Sequence, residues 1–405
     1  MNIKHIWNIT DNDTVIVGLG RFVAFYKLFP YISPYIIFLS IVIVLLITRV
    51  YLIKKDYIDY ILVIFISFFA GLKRPFSCDL IGYKWMFENY ENLSLINTEP
   101  IFLLIAKIVH LFTDNYIFFF LIYEILTIIL IYLSIKKIFK EPNDSYILSW
   151  FTFISFPFLF LNSFGVLLRQ VLAMALFIYA ILNWFDGGKK KSFLFFILSM
   201  LSHYSAIFAF FILCFTYILY HKVDFIRKNI KYILIFLIIF SILFSTYFVK
   251  LLLIINYIPL IGNIFEKYLI YFHAKEVTPV VKLLTFNFFG LLAIIFINNE
   301  GKENRDKLFR YYCMLFVVGV VLLNSTCAYG PISRMSFYYL VFIIILIPYI
   351  SMCFYKYIQN INFFIYTLLL IIFLYGLFYI DPSNGNYPFL PCQSLFCEFF
   401  YNIFD

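Results

Sequence analysis

Residues 165–205 read GVLLRQVLAMALFIYAILNWFDGGKKKSFLFFILSMLSHYS. A long apolar run opens on Arg169 and Gln170 and closes on Lys189, Lys190 and Lys191. A second, shorter apolar run then ends at His203. A cation and a histidine thus mark opposite ends of a helical hairpin whose middle is suited only to lipid. An ionisable side chain facing hydrocarbon costs at least ~2.5 kcal/mol, so one kept in such a segment faces a protein-lined cavity. The spacing therefore predicts that Arg169 and His203 look into one cavity, with the rest of the chain building its walls.

The remainder carries the same signature. The 405 residues are 64% hydrophobic, 23% aromatic and only 13% charged, with a mean hydropathy of +0.95. These fractions lie far from those of soluble domains and leave no room for a soluble domain of useful size. Spanning candidates fall at 34–53, 57–72, 116–135, 146–164, 167–185, 232–256, 281–298, 309–325, 334–352 and 361–380. The expected fold is an all-α polytopic membrane protein with about ten spans in one integral domain, residues 1–405. Residues 1–33 read as an external segment with an apolar patch at Thr14–Phe29 suited to the membrane surface. Asp11, Asp13, Arg21 and Lys27 interrupt any cleavable signal.

Orientation follows from the basic loops. Lys54 and Lys55, then Lys136, Lys137 and Lys140, then Lys189 to Lys191, then Lys222, Arg227, Lys228 and Lys231, then Lys302, Arg305, Lys307 and Arg310, and finally Lys356 should all be cytoplasmic. This bias accounts for the net charge of +9 without nucleic acid. The segment between Lys191 and Lys222 is basic at both ends. It reads as a half-membrane helical hairpin near 192–220 that turns at His203 and Ser205, the alternative being one long tilted span. The external side then collects the 73–99 and 257–280 loops, the 162–169 and 326–333 turns and the 381–405 tail. Residues 100–112, apolar on one face and carrying Lys107 and His110, read as re-entrant or interfacial. Cys214, Cys313 and Cys353 lie in or beside apolar runs as packing residues, and Cys392 and Cys397 can pair if the tail is external. No metal-ligand spacing or cofactor motif is present, so metal and cofactor are expected to be absent.

Chemistry is therefore sought outside. Arg74 and Asp79 read either as a helix-end cation and a helix cap, or as ligand-facing groups. Arg169 and Arg334 can snorkel to headgroups, but three external arginines at helix ends, none with an evident acid beside it in sequence, fit a polyanion better. Arginine forks bind phosphate bidentately, which makes a diphosphate the natural ligand of Arg74, Arg169 and Arg334. His203 is either a satisfied core histidine or a working group at the hairpin tip. Glu99, before Pro100, is a base or a cap. Tyr83, Gln170, Tyr204 and Tyr271 suit sugar contact or orientation, as do the aromatics of the loops, including Tyr268 beside His273 and Lys275.

RPFSCDLIGYKWMF at 74–87, TEPIFLLIAKIV at 98–109, the 165–205 stretch, SRMSFYY at 333–339 and YPFLPCQSLF at 387–396 together, in this order, resemble the EpsG-like and Wzy-type polysaccharide polymerases. Ser77 departs from the glycine that is common there two residues before the aspartate. The resemblance implies a glycosyltransferase of the bacterial inner (cytoplasmic) membrane with its site facing the periplasm or exterior. It would move a growing glycan from undecaprenyl diphosphate onto the sugar of a new lipid-linked repeat unit, making O-antigen of lipopolysaccharide, capsule or exopolysaccharide. His203, Asp79 or Glu99 would then orient or deprotonate the acceptor hydroxyl, while the arginines hold the leaving diphosphate without a metal. The partners implied are the undecaprenyl-diphosphate-linked oligosaccharide, the lipid bilayer, a chain-length regulator and a flippase. The rival readings are a flippase or exporter of the same lipids, and a membrane O-acyltransferase.

Overall fold

The computed structural model describes residues 19–94, 98–245, 247, 278–297, 304–355, 358 and 360–378. Every element among them is helical. The chain runs through α1 (Leu19–Ile47), α2 (Tyr57–Gly71), α3 (Cys78–Glu88), α4 (Pro100–His110), α5 (Tyr116–Ile138), α6 (Asp144–Ser155), α7 (Phe160–Gly165) and α8 (Leu168–Phe185). It continues through α9 (Lys189–Ser202), α10 (Ser205–Lys222), α11 (Asp224–Lys228), α12 (Ile230–Leu243), α13 (Val280–Phe296), α14 (Asn304–Ser325), α15 (Gly330–Ser333), α16 (Phe337–Leu340), α17 (Ile343–Tyr355) and α18 (Ile361–Leu377). The expected boundary at residue 33 falls inside α1.

Five described helices are long and apolar enough to cross a membrane: Ile32–Leu52, Tyr116–Ile138, Leu168–Phe185, Ser205–Lys222 and Leu308–Ser325. Arg334–Leu340 with Ile343–Tyr355, bent by 42°, makes a sixth if counted as one span. The expectation of about ten spans is thus not confirmed among the described residues. The candidates at 57–72, 281–298 and 361–380 correspond to shorter apolar helices of 15, 17 and 17 residues. The candidate at 146–164 is broken between α6 and α7 around Pro157, which has no N–H to give a continuing helix. Hydropathy registers apolar residues whether or not the helix is continuous, so the break was invisible to it. The candidate at 232–256 extends beyond the described residues.

Helix α8 is the centre of the bundle. Its spanning window is 83% buried against 22% for that of α10, so α8 is enclosed by protein while α10 presents most of its surface outward. It packs on α5, α9 and α16, where Ser199 Oγ and Ser192 Oγ donate to the carbonyls of Ala173 and Ala180 and fasten α9 to it.

The turn at His203 makes a true hairpin. Phe196 and Phe210 stand seven residues before and after it, yet their ring centroids are 5.2 Å apart. One straight helix would separate them by about 21 Å. Trp184 at the end of α8 meets Tyr217 near the end of α10 at 6.2 Å. The hairpin is asymmetric, however. Helix α10, with 18 residues, is long enough to be a span, and the half-membrane expectation fits only the 14-residue α9.

The polar groups divide between two ends. At one, Arg49 binds Asp59 at 2.9 Å and Asp56 at 2.6 Å, and Lys137 binds Asp186 at 2.8 Å. A cavity of about 1400 Å³ there is lined by Lys137, Lys140, Asp186, His221, Lys228 and Arg310. Among the described residues, Lys137, Lys140, Lys228 and Arg310, from basic segments that the sequence assigned to a common side, meet at this end, while Lys302 and Lys356 lie outside the described residues. The His203 tip and the loop before α3 lie at the other.

Candidate functional site

The loop after α2 is pinned before it presents anything. Lys73, the neighbour of Arg74 in the chain, is fully buried: its Nζ donates to Glu124 Oε1 at 2.7 Å and to the Ser163 carbonyl at 2.9 Å, and Ser163 Oγ donates to the other Glu124 oxygen at 2.8 Å. Glu124 lies inside the apolar run of α5, and its isolation there was the available sign of a buried partner. Arg74 itself is exposed.

The helix after this loop is capped by Ser77, whose Oγ accepts from the Leu80 N–H at 3.2 Å and donates to the carbonyl of Gly165. Asp79 is therefore not the cap that the sequence allowed it to be. It occupies the first turn of α3, half-buried, within reach of the charges of Arg334 and Arg169. Burial pushes its carboxyl above the usual range, and the two arginines draw it only partly back.

Glu99 stands at the N-cap position of α4 without capping it, its backbone extended at φ −64° and ψ 139°. Pro100 imposes that conformation on the residue before it. The carboxylate is thereby directed across the structure, where Oε1 meets His203 Nδ1 at 2.7 Å and Oε2 accepts from Arg169 Nη1. This corrects the expectation that the external arginines have no acid partner: Arg169 is paired, while among the described residues no acid forms an ion pair with Arg334. The Arg169 guanidinium also lies over the ring of Tyr83 at 4.9 Å and that of Phe102 at 5.6 Å. Tyr83 is buried beneath it, so its visible role is to seat the arginine.

The other members close the cluster. Gln170 Nε2 donates to the Arg334 carbonyl at 2.8 Å, tying the start of α8 to the segment after α15. The Tyr204 hydroxyl donates to the Thr98 carbonyl at 3.4 Å, beside Glu99. Ser205 and Tyr338 share a hydroxyl hydrogen bond at 3.0 Å, and the Tyr339 hydroxyl donates to the Ala209 carbonyl, holding the hairpin against the Arg334 segment. His110 stacks on Phe87 and Tyr90 and binds Asp114, apart from these groups. Tyr271, with Tyr268, His273 and Lys275, lies outside the described residues, as do Cys392 and Cys397.

The arrangement has a definite chemical polarity. Burial raises the Glu99 carboxyl, but the hydrogen bond from His203 and the charge of Arg169 outweigh it and hold the group below its usual range. An ionised carboxylate can only accept, so in this contact His203 Nδ1 is the donor. Glu99 is nearly enclosed at 6% side-chain exposure, whereas His203 retains 24% and Arg169 19%. The histidine and the arginine are thus the more exposed members of the chain. One further cation was missed: Lys282, in the first turn of α13, stands 4.3 Å above the ring of Phe337. Among the described residues no group of three His, Cys, Asp or Glu is placed to hold a metal ion.

A family model described as the EpsG family matches residues 56–394, well over half of the chain. No curated protein and no solved structure matches it.

Proposed function

The chain belongs to the EpsG family, which is related to the Wzy-like polysaccharide polymerases, and from that premise we propose that it polymerises lipid-linked oligosaccharide repeat units in a bacterial cytoplasmic membrane. The growing glycan would leave undecaprenyl diphosphate for the sugar of a new undecaprenyl-diphosphate-linked unit, on the face opposite the lysine-rich loops. The observation that carries the reading is the Arg169–Glu99–His203 chain at that face.

In this reading Arg169 fixes the Glu99 carboxylate, and Glu99 fixes the histidine with Nε2 unprotonated. The acceptor hydroxyl hydrogen-bonds to Nε2. Its oxygen forms a bond to the anomeric carbon of the donor as the bond from that carbon to the diphosphate oxygen breaks. The proton passes to His203, and the electron pair leaves with the diphosphate. Base assistance of this kind contributes typically ~10²–10⁴-fold. Arg334 lies at the same site without an ion-pair partner among the described residues and stabilises the departing charge, with no metal required. Asp79, facing both arginines, positions them. This gives two of the three external arginines distinct roles: Arg169 organises the base, and Arg334 receives the leaving group.

The test is genetic and chemical. Deleting the gene in its host should replace a ladder of surface polysaccharide on a gel by single repeat units. Wild type should restore the ladder, whereas Arg169→Ala and His203→Ala, still present in the membrane, should not. An intact ladder lacking an acyl group, or lipid-linked units trapped on the cytoplasmic face, would replace this reading by acyl transfer or by flipping.

A further inference from the structure

We propose that the end of the bundle carrying the lysine-rich segments holds a site for one anionic phospholipid, with its phosphate in the basic cavity beside Arg310 and an acyl chain in the apolar groove between α8, α9 and α10. The proposal does not rest on the polymerase reading, since it concerns the end opposite the Arg169–Glu99–His203 chain.

The headgroup end is built around Arg310. This residue lies just inside the spanning stretch Leu308–Ser325 of α14. A charge kept in a spanning segment faces a protein-lined cavity, and Arg310 lines the one of about 1400 Å³. Its Nε is buried and has no hydrogen-bond partner among the described residues. A bound acceptor would relieve that donor of the cost of being left unsatisfied. Lys140 and Lys228, both exposed, line the same cavity, and among the described residues neither they nor Arg310 form an ion pair. Lys137, by contrast, is countered by Asp186 at 2.8 Å, which leaves Glu141 as the other acid of the described lining. The insertion bias explains lysines that project into water. It does not explain an arginine whose Nε is shut away from water. A guanidinium fork flanked by two lysines suits the oxygens of a phosphate.

The hydrocarbon end adjoins it. A groove of about 350 Å³ shares Phe185 and Tyr311 with the cavity as common walls, and among the described residues no charged side chain lines it. Phe193 of α9 and Ile218 of α10, on its edge, are 59% and 55% exposed, so the groove opens outward, where the hydrocarbon of a bilayer would lie. Trp184 and Tyr217 line it as well, and such rings sit at the level of lipid headgroups. The Tyr217 ring in turn lies 4.4 Å from that of His221, which lines the cavity. A phosphate site and a hydrocarbon site with common walls are complementary to one molecule that carries both groups. A zwitterionic headgroup would bring its own cation against Lys140, Lys228 and Arg310, so the charge pattern selects an anionic one. Lysine-rich segments stay on the cytoplasmic side, and the anionic lipids of that leaflet are the ones within reach.

The experiment titrates the purified, delipidated full-length protein in a neutral detergent with dioleoylphosphatidylglycerol, dioleoylphosphatidylcholine and glycerol phosphate, and follows bound molecules by native mass spectrometry. Wild type should bind phosphatidylglycerol about tenfold or more tighter than phosphatidylcholine. Arg310→Ala, and Lys140→Ala combined with Lys228→Ala, should each weaken phosphatidylglycerol by about tenfold or more, through the loss of charge-assisted contacts. Arg310→Lys should keep part of the affinity. Lys140 and Lys228 are exposed, so their double variant tests the site even where Arg310→Ala fails to fold. Phe193→Gln, on the groove, should also weaken the lipid, whereas Lys84→Ala in α3 should bind as wild type does. Equal affinity for the two lipids, or wild-type affinity in the Lys140 and Lys228 double variant, overturns the proposal. So does glycerol phosphate binding as tightly as the lipid with Phe193→Gln without effect, which would assign the cavity to a soluble phosphate compound.

Discussion

Glu99 shows how a residue can be legible while its role is not. A carboxylate just before Pro100 reads equally well as a cap or a base, because nothing in the spacing connects position 99 with 169 and 203. The structure excludes the cap, since the side chain is turned away from α4 and bridges Arg169 and His203. A carboxyl held below its usual range is also a poor proton acceptor at neutral pH, which in the proposed reaction leaves that task to the histidine. Glu99→Gln should accordingly lower the polymerisation rate by ~10²-fold or more while the protein still inserts, because the amide can accept from His203 but cannot counter the charge of Arg169. The sign of the pH effect follows from the lowered carboxyl. Its stabilisation is fully present above the ordinary carboxylate pKa and is lost only as pH falls through the lower folded value. Thermal unfolding in detergent should thus find Glu99→Gln less stable than wild type at neutral pH, with the gap closing only below about pH 4. Asp79 has the opposite sign, its carboxyl raised chiefly by burial. Its ionised form opposes folding, so Asp79→Asn should melt higher than wild type at neutral pH, and the difference should vanish in acid.

At the scale of elements, apolar length and the basic loops located the helices, and the Lys191 to Lys222 parity located the hairpin turn. Where a helix breaks was not legible in apolar length, which does not register the missing N–H of Pro157. The break around Pro157 is accommodated by Gly376 of α18, where a Cβ would come within 2.4 Å of the proline ring. The fixing of the loop before α3 was equally hidden: Lys73, Glu124 and Ser163 are far apart in the chain and enclosed together. Removing one charge of such a pair leaves the other buried alone, at about 3–5 kcal/mol, whereas replacing both by apolar residues of similar volume is often neutral. Lys73→Met and Glu124→Leu should each sharply reduce the yield of folded protein in detergent, and the double variant should recover most of it. Since the pair touches none of the groups around Glu99, a recovered double variant should also polymerise. If it folds but is inactive, Lys73 and Glu124 belong to the site and not only to its support.

For the whole molecule, the decisive property is which end faces which compartment. The segregation of charge is clear: Lys137, Lys140, Lys228 and Arg310 line the cavity at one end, while Glu99, Arg169 and His203 meet at the other. Lysine-rich loops remain on the cytoplasmic side during insertion, so the Glu99 end is expected outside. Cys78, exposed and adjacent to Asp79, offers a reporter already in place. In a variant with its other cysteines changed to serine, a membrane-impermeant maleimide should label Cys78 in intact spheroplasts. In a second variant with Cys78 also replaced, Lys190→Cys, exposed at the far end, should react only after the membrane is opened. The reverse pattern would put the histidine in the cytoplasm. Transfer between lipid-linked glycans on the external face would then be untenable, and a cytoplasmic acyl donor would be the chemistry left for the same Arg169–Glu99–His203 chain.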